Sequence, residues 1–367
     1  MCIWEMKALI LVGGYGTRLR PLTFSRPKPC VEFANKPIVC HQIEALAKAG
    51  VTEVVLAISY QPEAMRENIQ EWERTYGVRI TCSVETEPMG TAGPLALARE
   101  ILTRDNADGS FFVLNSDIIC EYPFEEMIKY HQSHGSEGTL AVYAVDDPSK
   151  YGVIVSNEEH QILSFVEKPA KFISNKINCG LYLLSVRTLD RISLRPTSIE
   201  REIFPAMAQD RALHTFVLKG FWMDIGQPKD FLEGTKLYLA SQEVLHPERL
   251  ARGEGIRGNV LIDPTATIEP GSLIGPNVTI GPHCHVKAGA RLINSAVLEG
   301  SFLDAHSWVK NSIIGWKCHI GKWARLEGLC VLGEDVRIAD EICLNATIVL
   351  PHKELKESVL EARQIIM

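Results

Sequence analysis

The residues with the clearest chemical potential come early. Leu11-Val12-Gly13-Gly14-Tyr15-Gly16-Thr17-Arg18-Leu19 closes an apolar run with a glycine-rich turn and an arginine, and Lys28 follows within Pro27-Lys28-Pro29. A glycine-rich turn after a strand exposes backbone N–H groups that can cradle phosphate. Arg18 can clamp two phosphate oxygens, and Lys28 can act as a point charge on the same anion. The segment is neither a Walker A loop nor G-x-G-x-x-G, since no Gly-Lys-Ser/Thr follows and the glycine spacing differs. A plain turn carrying two solvated cations is the competing reading.

Two carboxylates stand at the ends of apolar runs. Phe112-Val113-Leu114-Asn115-Ser116-Asp117 ends in one, and Phe221-Trp222-Met223-Asp224-Ile225-Gly226 offers the other. A charged residue just past a strand end sits at the ligand edge of a parallel sheet. Two such carboxylates can hold Mg²⁺, which prefers oxygen ligands and leaves room for phosphate and water. The alternative is a helix cap and an unrelated salt-bridge partner.

These residues need a scaffold. From residue 6 to about 240, short apolar runs alternate with helical stretches. Ala8–Val12, Val54–Ile58, Phe111–Leu114 and Gly138–Tyr143 read as strands, and Ile38–Lys48 and Ala92–Leu102 as helices. This is an α/β pattern with a mostly parallel sheet. From 256 the period becomes six: Ile256, Ile262, Ile268, Ile274, Ile280, Val286, Leu292 and Leu298, then Trp308, Ile314, Ile320, Leu326, Leu332, Ile338, Leu344 and Leu350. A period of six fits one side of a triangular coil with the aliphatic residue facing the axis, which is a parallel β-helix. These hexapeptide repeats resemble those of left-handed parallel β-helices. The polar, Pro- and Gly-containing stretch 241–255 reads as a linker, dividing the chain into 1–240, 241–255 and 256–367.

Composition narrows the class. Apolar residues make up 46% of the 367 and charged residues 23%, as in soluble globular proteins. A net charge of −7 argues against nucleic acid as a partner. No apolar run approaches the roughly 20 residues of a membrane span, and the start lacks the pattern of a secretion signal. Ten scattered cysteines with no C-x-x-C pair read as buried thiols of a reducing, cytoplasmic setting. His283-Cys284-His285 has no second cluster of zinc-like spacing, so a metal there is not expected.

Gly13-Gly-x-Gly-Thr-Arg-Leu-x-Pro-Leu-Thr followed by Pro-Lys-Pro resembles the signature of the sugar-phosphate nucleotidyltransferases, some of which also carry a hexapeptide β-helix. The resemblance spans the whole chain and implies a Rossmann-like nucleotidyltransferase domain followed by a left-handed β-helix. From Met6 onward the start is most similar to members that join GTP and mannose 1-phosphate into GDP-mannose and diphosphate, which leaves Met1–Glu5 as a short extension. It implies that Leu11, Gly13, Gly14, Gly16, Thr17, Arg18, Lys28 and Asp117 bind nucleotide, and that Asp117 and Asp224 hold Mg²⁺. It also implies that Phe165-Val166-Glu167-Lys168-Pro169 is the family's E-K-P segment. There Glu167 receives sugar hydroxyls and Lys168 the sugar phosphate, joined by Gly152, Asn178 and Asp224. Arg18, Lys28 and Lys168 become the expected catalytic cations.

Base choice falls on Glu85-Thr-Glu-Pro-Met-Gly90. Guanine presents two donors on one edge, which an acceptor-only carboxylate complements. Glu85 or Glu87 is therefore expected to read guanine, helped by backbone near Gly90; a solvated acidic loop is the competing reading. Three other functions stay open: an enzyme for another nucleotide sugar, a non-catalytic regulatory subunit, and an acyltransferase using His285, His306 or His319. The β-helix is expected instead to assemble copies of the chain, with a regulatory subunit as a further possible partner.

Overall fold

The computed structural model describes residues 6–14, 16–58, 65–106 and 109–367. The Met1–Glu5 extension and Tyr15 of the glycine-rich signature lie outside the described residues. The chain divides into two compact units. One joins the residues up to Gly14 to Val39–Trp222, and the other joins Tyr15–Ile38 to Met223–Met367. The segment after the first glycines clusters with the C-terminal part of the chain.

In the first unit, strands β1 (Met6–Leu11), β2 (Val51–Ile58), β3 (Arg79–Val84) and β4 (Ser110–Asn115) are parallel, in the order β4-β1-β2-β3. Their sequences are nearly continuous apolar runs because both faces are covered; Ala8, Leu9, Ile10, Phe111, Phe112, Val113 and Leu114 are all fully buried. The sheet continues through antiparallel β5 (Lys176–Ser185), which is joined to β4. Beyond it lie the hairpin Gly152–Ser156 with Ile162–Glu167, and the strand Gly138–Ala144 paired in parallel with Leu213–Val217. Helix α1 (Ile38–Lys48) lies where its pattern predicts. The expected helix 92–102 is instead two short helices, Gly93–Leu97 and Arg99–Thr103, which meet at Ala98.

Two sheet facts place chemistry. β1 sits between β2 and β4, so the chain leaves its C-terminal end at the edge where ligands of open parallel sheets bind. Leu11 is in register with Asn115, and the Ser116 N–H donates to the Leu11 carbonyl at 3.3 Å. Gly13 and Asp117 therefore leave neighbouring strands at the same end.

The second unit is built on a parallel β-helix. Strands from 260 onward stack into three parallel sheets of seven, six and five strands, consistent with the left-handed form. Inward columns are read from the pairing: Ile280 on Val297 on Ile314, Val286 on Leu303 on Ile320, and Leu292 on Val309 on Leu326. Each of these residues is fully buried. The strict six-residue count thus fails at three places. Val297, Val309 and Val349 face the axis where Leu298, Trp308 and Leu350 were expected, and Trp308 and Leu350 are only partly buried. The cause is coil length: Ile262 pairs with Ile280 eighteen residues on, whereas Ile280 pairs with Val297 after seventeen. At one corner Asn277, Asn294 and Asn311 all adopt positive φ, a conformation asparagine tolerates. Their amides form a ladder, Asn277 donating to Asn294 at 2.9 Å and Asn294 to Asn311 at 3.2 Å.

Helix α2 (Pro228–Leu245) precedes the β-helix. Residues 241–245, expected to open a linker, are its last five residues. Among the described residues no helix is long and apolar enough to cross a membrane.

Candidate active site

From Gly16 onward the glycine-rich segment folds back on itself. Gly14 and Gly16 have φ of 101° and 58°, which L side chains rarely adopt. A Cβ on Gly16 would lie 2.9 Å from Thr23 Cγ2 and 3.1 Å from Lys28 Cβ. The Gly16 carbonyl accepts from the Thr23 hydroxyl at 2.9 Å and from the Leu19 N–H at 2.9 Å. Glycine is thus required for conformation and for space, and its carbonyl ties the turn to the Pro-Leu-Thr segment downstream.

That turn carries both expected cations. Arg18 lies in the single 3-10 turn Thr17–Leu19, and Lys28 opens another, Lys28–Cys30. Arg18 Nη1 stands 3.9 Å from Asp224 Oδ2, with Arg18 well exposed. An exposed pair at this distance stabilises folding by no more than about 1 kcal/mol. Its interest is the meeting of a candidate phosphate clamp with a candidate metal ligand. Asp224 Oδ1 accepts the Gly226 N–H at 2.8 Å, which holds the carboxylate at the strand end.

In the first unit, the segments expected to contact sugar come together. Gly152 and Glu167 are register partners in the hairpin, and a Cβ on Gly152 would lie 2.8 Å from both Glu167 Oε2 and Phe165 Cζ. Glycine is what makes room for the Glu167 carboxylate. Lys168 leaves the strand with φ of 48°, its N–H donating to the Tyr151 carbonyl at 3.1 Å and its Nζ 3.5 Å from Glu167 Oε1. The expected sites at Gly152, Glu167 and Lys168 are therefore adjacent.

Asn178 occupies a break in the pairing of β5. Its Nδ2 donates to the buried Tyr182 hydroxyl at 2.8 Å, and its Oδ1 accepts the Gly180 N–H at 3.1 Å. Part of the hydrogen-bonding capacity expected to serve a ligand thus holds the bulge. Gly180, at φ of 73°, leaves no room for a Cβ beside the Asn115 amide. The sequence reading missed the aromatic frame here. Trp222 Nε1 donates to the Cys179 carbonyl at 3.1 Å, and the Tyr151 ring meets Trp222 edge-on at 5.5 Å. The signal was present, since Trp222 lies two residues before Asp224 and Tyr151 directly precedes Gly152.

The Glu85–Gly90 loop separates the two candidate glutamates. Glu85 is buried and accepts the Met89 N–H at 3.3 Å, whereas Glu87 is exposed. Burial raises the Glu85 carboxyl above its ordinary range, and the Met89 N–H partly offsets this. Thr197, which the sequence reading also missed, pins the loop. Its N–H donates to the Met89 carbonyl at 3.0 Å, its carbonyl accepts the Ala92 N–H at 2.9 Å, and its backbone stands where a Gly90 Cβ would go.

The nine cysteines among the described residues form no disulfide with one another. Cys284 is buried, its Sγ donating to the Leu298 carbonyl at 3.1 Å, while His283 and His285 on either side are exposed. His285, His306 and His319 are exposed positions of the coil, with His306 stacked on Trp323 at 4.2 Å.

Comparison with known proteins identifies the family. Residues 7–241 match a family model described as nucleotidyl transferase, and 256–366 match the GMPPB C-terminal domain. The chain is 59% identical to mannose-1-phosphate guanyltransferase beta-A of Xenopus laevis, over 98% of this chain and all of that one. It is 58% identical to the mannose-1-phosphate guanylyltransferase catalytic subunit beta of Dictyostelium discoideum, and 56% to the mannose-1-phosphate guanyltransferase of Schizosaccharomyces pombe. Each of these matches covers 99% of this chain and the whole of the relative. Among solved structures, HddC from Yersinia pseudotuberculosis complexed with GMP-PN aligns with a TM-score of 0.53 at 27% identity, over 62% of this chain and 97% of that one. The chain belongs to the nucleotidyl transferase family, in its mannose-1-phosphate guanylyltransferase branch.

Proposed function

We propose that the chain transfers the guanylyl group of GTP to mannose 1-phosphate, giving GDP-mannose and diphosphate. The carrying observation is full-length similarity to enzymes named for that reaction, in a chain that carries Arg18 and Lys28 in and just after its glycine-rich segment. A phosphate oxygen of the sugar phosphate attacks the α-phosphorus of GTP. The new P–O bond forms as the bond to the bridging oxygen of the β-phosphate breaks, and diphosphate leaves in line. The attacking phosphate is already ionised at neutral pH, so positioning and charge neutralisation supply the catalysis.

The chain's own residues divide that work. The backbone of Gly13, Gly14, Gly16 and Thr17 receives phosphate oxygens beside Leu11, and Arg18 and Lys28 offset the charge gathering on the leaving diphosphate. Lys168 aligns the attacking phosphate, while Glu167, Gly152 and Asn178 receive the sugar. Glu85, buried in the loop that leads to Gly90, reads the guanine edge. Among the described residues no group of three or more His, Cys, Asp or Glu could hold a metal by itself. Two carboxylates completed by phosphate and water suit Mg²⁺, with Asp117 and Asp224 as the proposed ligands. When bound, the ion supplies positive charge to phosphate oxygens.

The β-helix is proposed to join copies of the chain, with a regulatory subunit as a further partner and the cytoplasm as the working compartment. The test is product analysis. Purified protein with Mg²⁺, GTP and mannose 1-phosphate should yield GDP-mannose and diphosphate in equal amounts by mass spectrometry. Diphosphate without a nucleotide sugar would overturn the transfer reaction.

A further inference from the structure

The segment that carries Arg18 and Lys28 is fastened to the β-helix by residues on both sides of Lys28. Downstream, Glu32-Phe33 pairs with Lys36-Pro37 in a hairpin whose turn residues Ala34 and Asn35 have positive φ. Phe33 is fully buried, edge-on to Phe231 at 5.2 Å and to Tyr238 at 5.6 Å, both on α2. Asn35 Nδ2 donates to the Ile280 carbonyl of the β-helix at 2.8 Å.

The polar half of the anchorage centres on Trp316. This residue is fully buried on the coil, and its indole Nε1–H donates to Glu32 Oε2 at 2.7 Å. The Arg26 guanidinium lies 4.5 Å above the centre of the Trp316 ring, bonds the other oxygen of Glu32, and reaches Glu299 at 3.5 Å. Arg26 is itself joined to the preceding turn, its N–H donating to the Leu22 carbonyl at 3.4 Å. Glu32 is partly buried, and a carboxylate drawn out of water needs charge and hydrogen-bond partners. Here one partner comes from the loop and the other from the repeat. Tryptophan is the most favourable ring for a cation held over its face.

We propose that Trp316, through Glu32 and Arg26, is a positioning residue for the phosphate-handling turn, so that the repeat region sets the placement of Arg18 and Lys28 as well as any assembly. The consequence for turnover rests on the proposed guanylyl transfer; the consequence for the turn itself does not. The anchors lie two residues before Lys28 and four after it, and Arg18 is tied to the same stretch through the Thr23–Gly16 hydrogen bond. A misplacement of about 1 Å in a group that orients reactants costs up to about 100-fold in rate.

The test uses Trp316→Phe, which keeps an aromatic face under Arg26 but removes the N–H donor, and Arg26→Met, which keeps the stem and removes the charge. Hydrogen–deuterium exchange of the full chain should show faster exchange over residues 16–31 in both variants, with the remaining coils of the β-helix unchanged. This region includes the Leu19, Cys30 and Val31 amides that close its turns. In turnover, kcat with GTP should fall between about 10- and 100-fold while KM for mannose 1-phosphate stays within about twofold. Arg26→Lys, which keeps a charge for Glu32, should recover part of the loss. Exchange over 16–31 and kcat both equal to the parent in the folded variants would overturn the proposal. If the parent chain itself releases no diphosphate, the guanylyl-transfer reading fails, and the exchange result still decides the anchorage. Should Trp316→Phe fail to fold, Arg26→Met and Arg26→Lys carry both readouts.

Discussion

Gly152 stands directly against the carboxylate of Glu167: a Cβ at position 152 would lie 2.8 Å from Oε2. The two are register partners in a hairpin, so neither can withdraw without breaking the pairing. Gly152→Ala should therefore turn the Glu167 side chain out of its place. KM for mannose 1-phosphate is expected to rise about tenfold, the equivalent of roughly 1.4 kcal/mol, with KM for GTP unchanged. Steady-state kinetics with each substrate varied in turn checks this.

Gly16→Ala should act on the other substrate. The substitution forces a side chain into φ of 58° and against Thr23 and Lys28. Strain of this kind costs about 1–3 kcal/mol, and the Lys28 stem must give way. The expected result is a fall in kcat of about 100-fold, the cost of misplacing a charge-stabilising group, with a melting temperature only a few degrees lower. A variant that melts like the parent and turns over normally would remove the turn from the phosphate-handling machinery.

Glu85 offers a test with a sign. Its carboxyl is raised by burial, so it begins to take up a proton at a pH where an ordinary carboxylate is still ionised. Preference for GTP over UTP should weaken as pH falls through that range. Glu85→Gln should show weak preference at every pH, and Glu87→Gln should behave as the parent. A group whose folded pKa is raised is more costly to ionise in the native state than in the unfolded chain. Glu85→Gln should accordingly melt no lower than the parent at pH 7.5. Competition binding of the two nucleotides, with a melting curve for each protein, covers both points.

Acid stability is assigned to three histidines of the first unit. His131 accepts or donates at Ser110 (3.3 Å) and Thr139 (2.9 Å), His134 meets the same Thr139 at 2.8 Å, and His134 stacks on His214 at 4.2 Å. Burial, then the neighbouring histidines, lowers His131 and His134 to about 4. The unfolded chain binds these protons near the ordinary histidine value of about 6.5, well before the native state does. Stability should therefore drop as pH falls from about 6.5 toward 4. His134→Gln should flatten that drop in a melting-temperature profile; an unchanged profile would place the acid sensitivity elsewhere.

Much of this was legible in the residues. A period of six marked the β-helix, and glycine, arginine and lysine in one short segment marked the candidate phosphate turn. The count failed where two apolar residues stand side by side, as at Val297-Leu298 and Val349-Leu350. Spacing alone does not say which faces the axis, and the length of the corner decides it. The pairing of Glu32 with Trp316 was hidden for a different reason. The two lie 284 residues apart, and neither belongs to a motif. Glu85 and Glu87 were equivalent on paper, and only burial distinguishes them.

The most direct test is diphosphate release by the purified chain with Mg²⁺, pairing GTP, ATP, UTP and dTTP with mannose 1-phosphate and glucose 1-phosphate. Guanylyl transfer to mannose predicts release with GTP and mannose 1-phosphate well above every other pair, lost in Arg18→Gln with the fold intact. Equal or greater release with another nucleotide or sugar phosphate would contradict the substrate assignment, and release unaffected by Arg18→Gln would contradict the role of the glycine-rich turn.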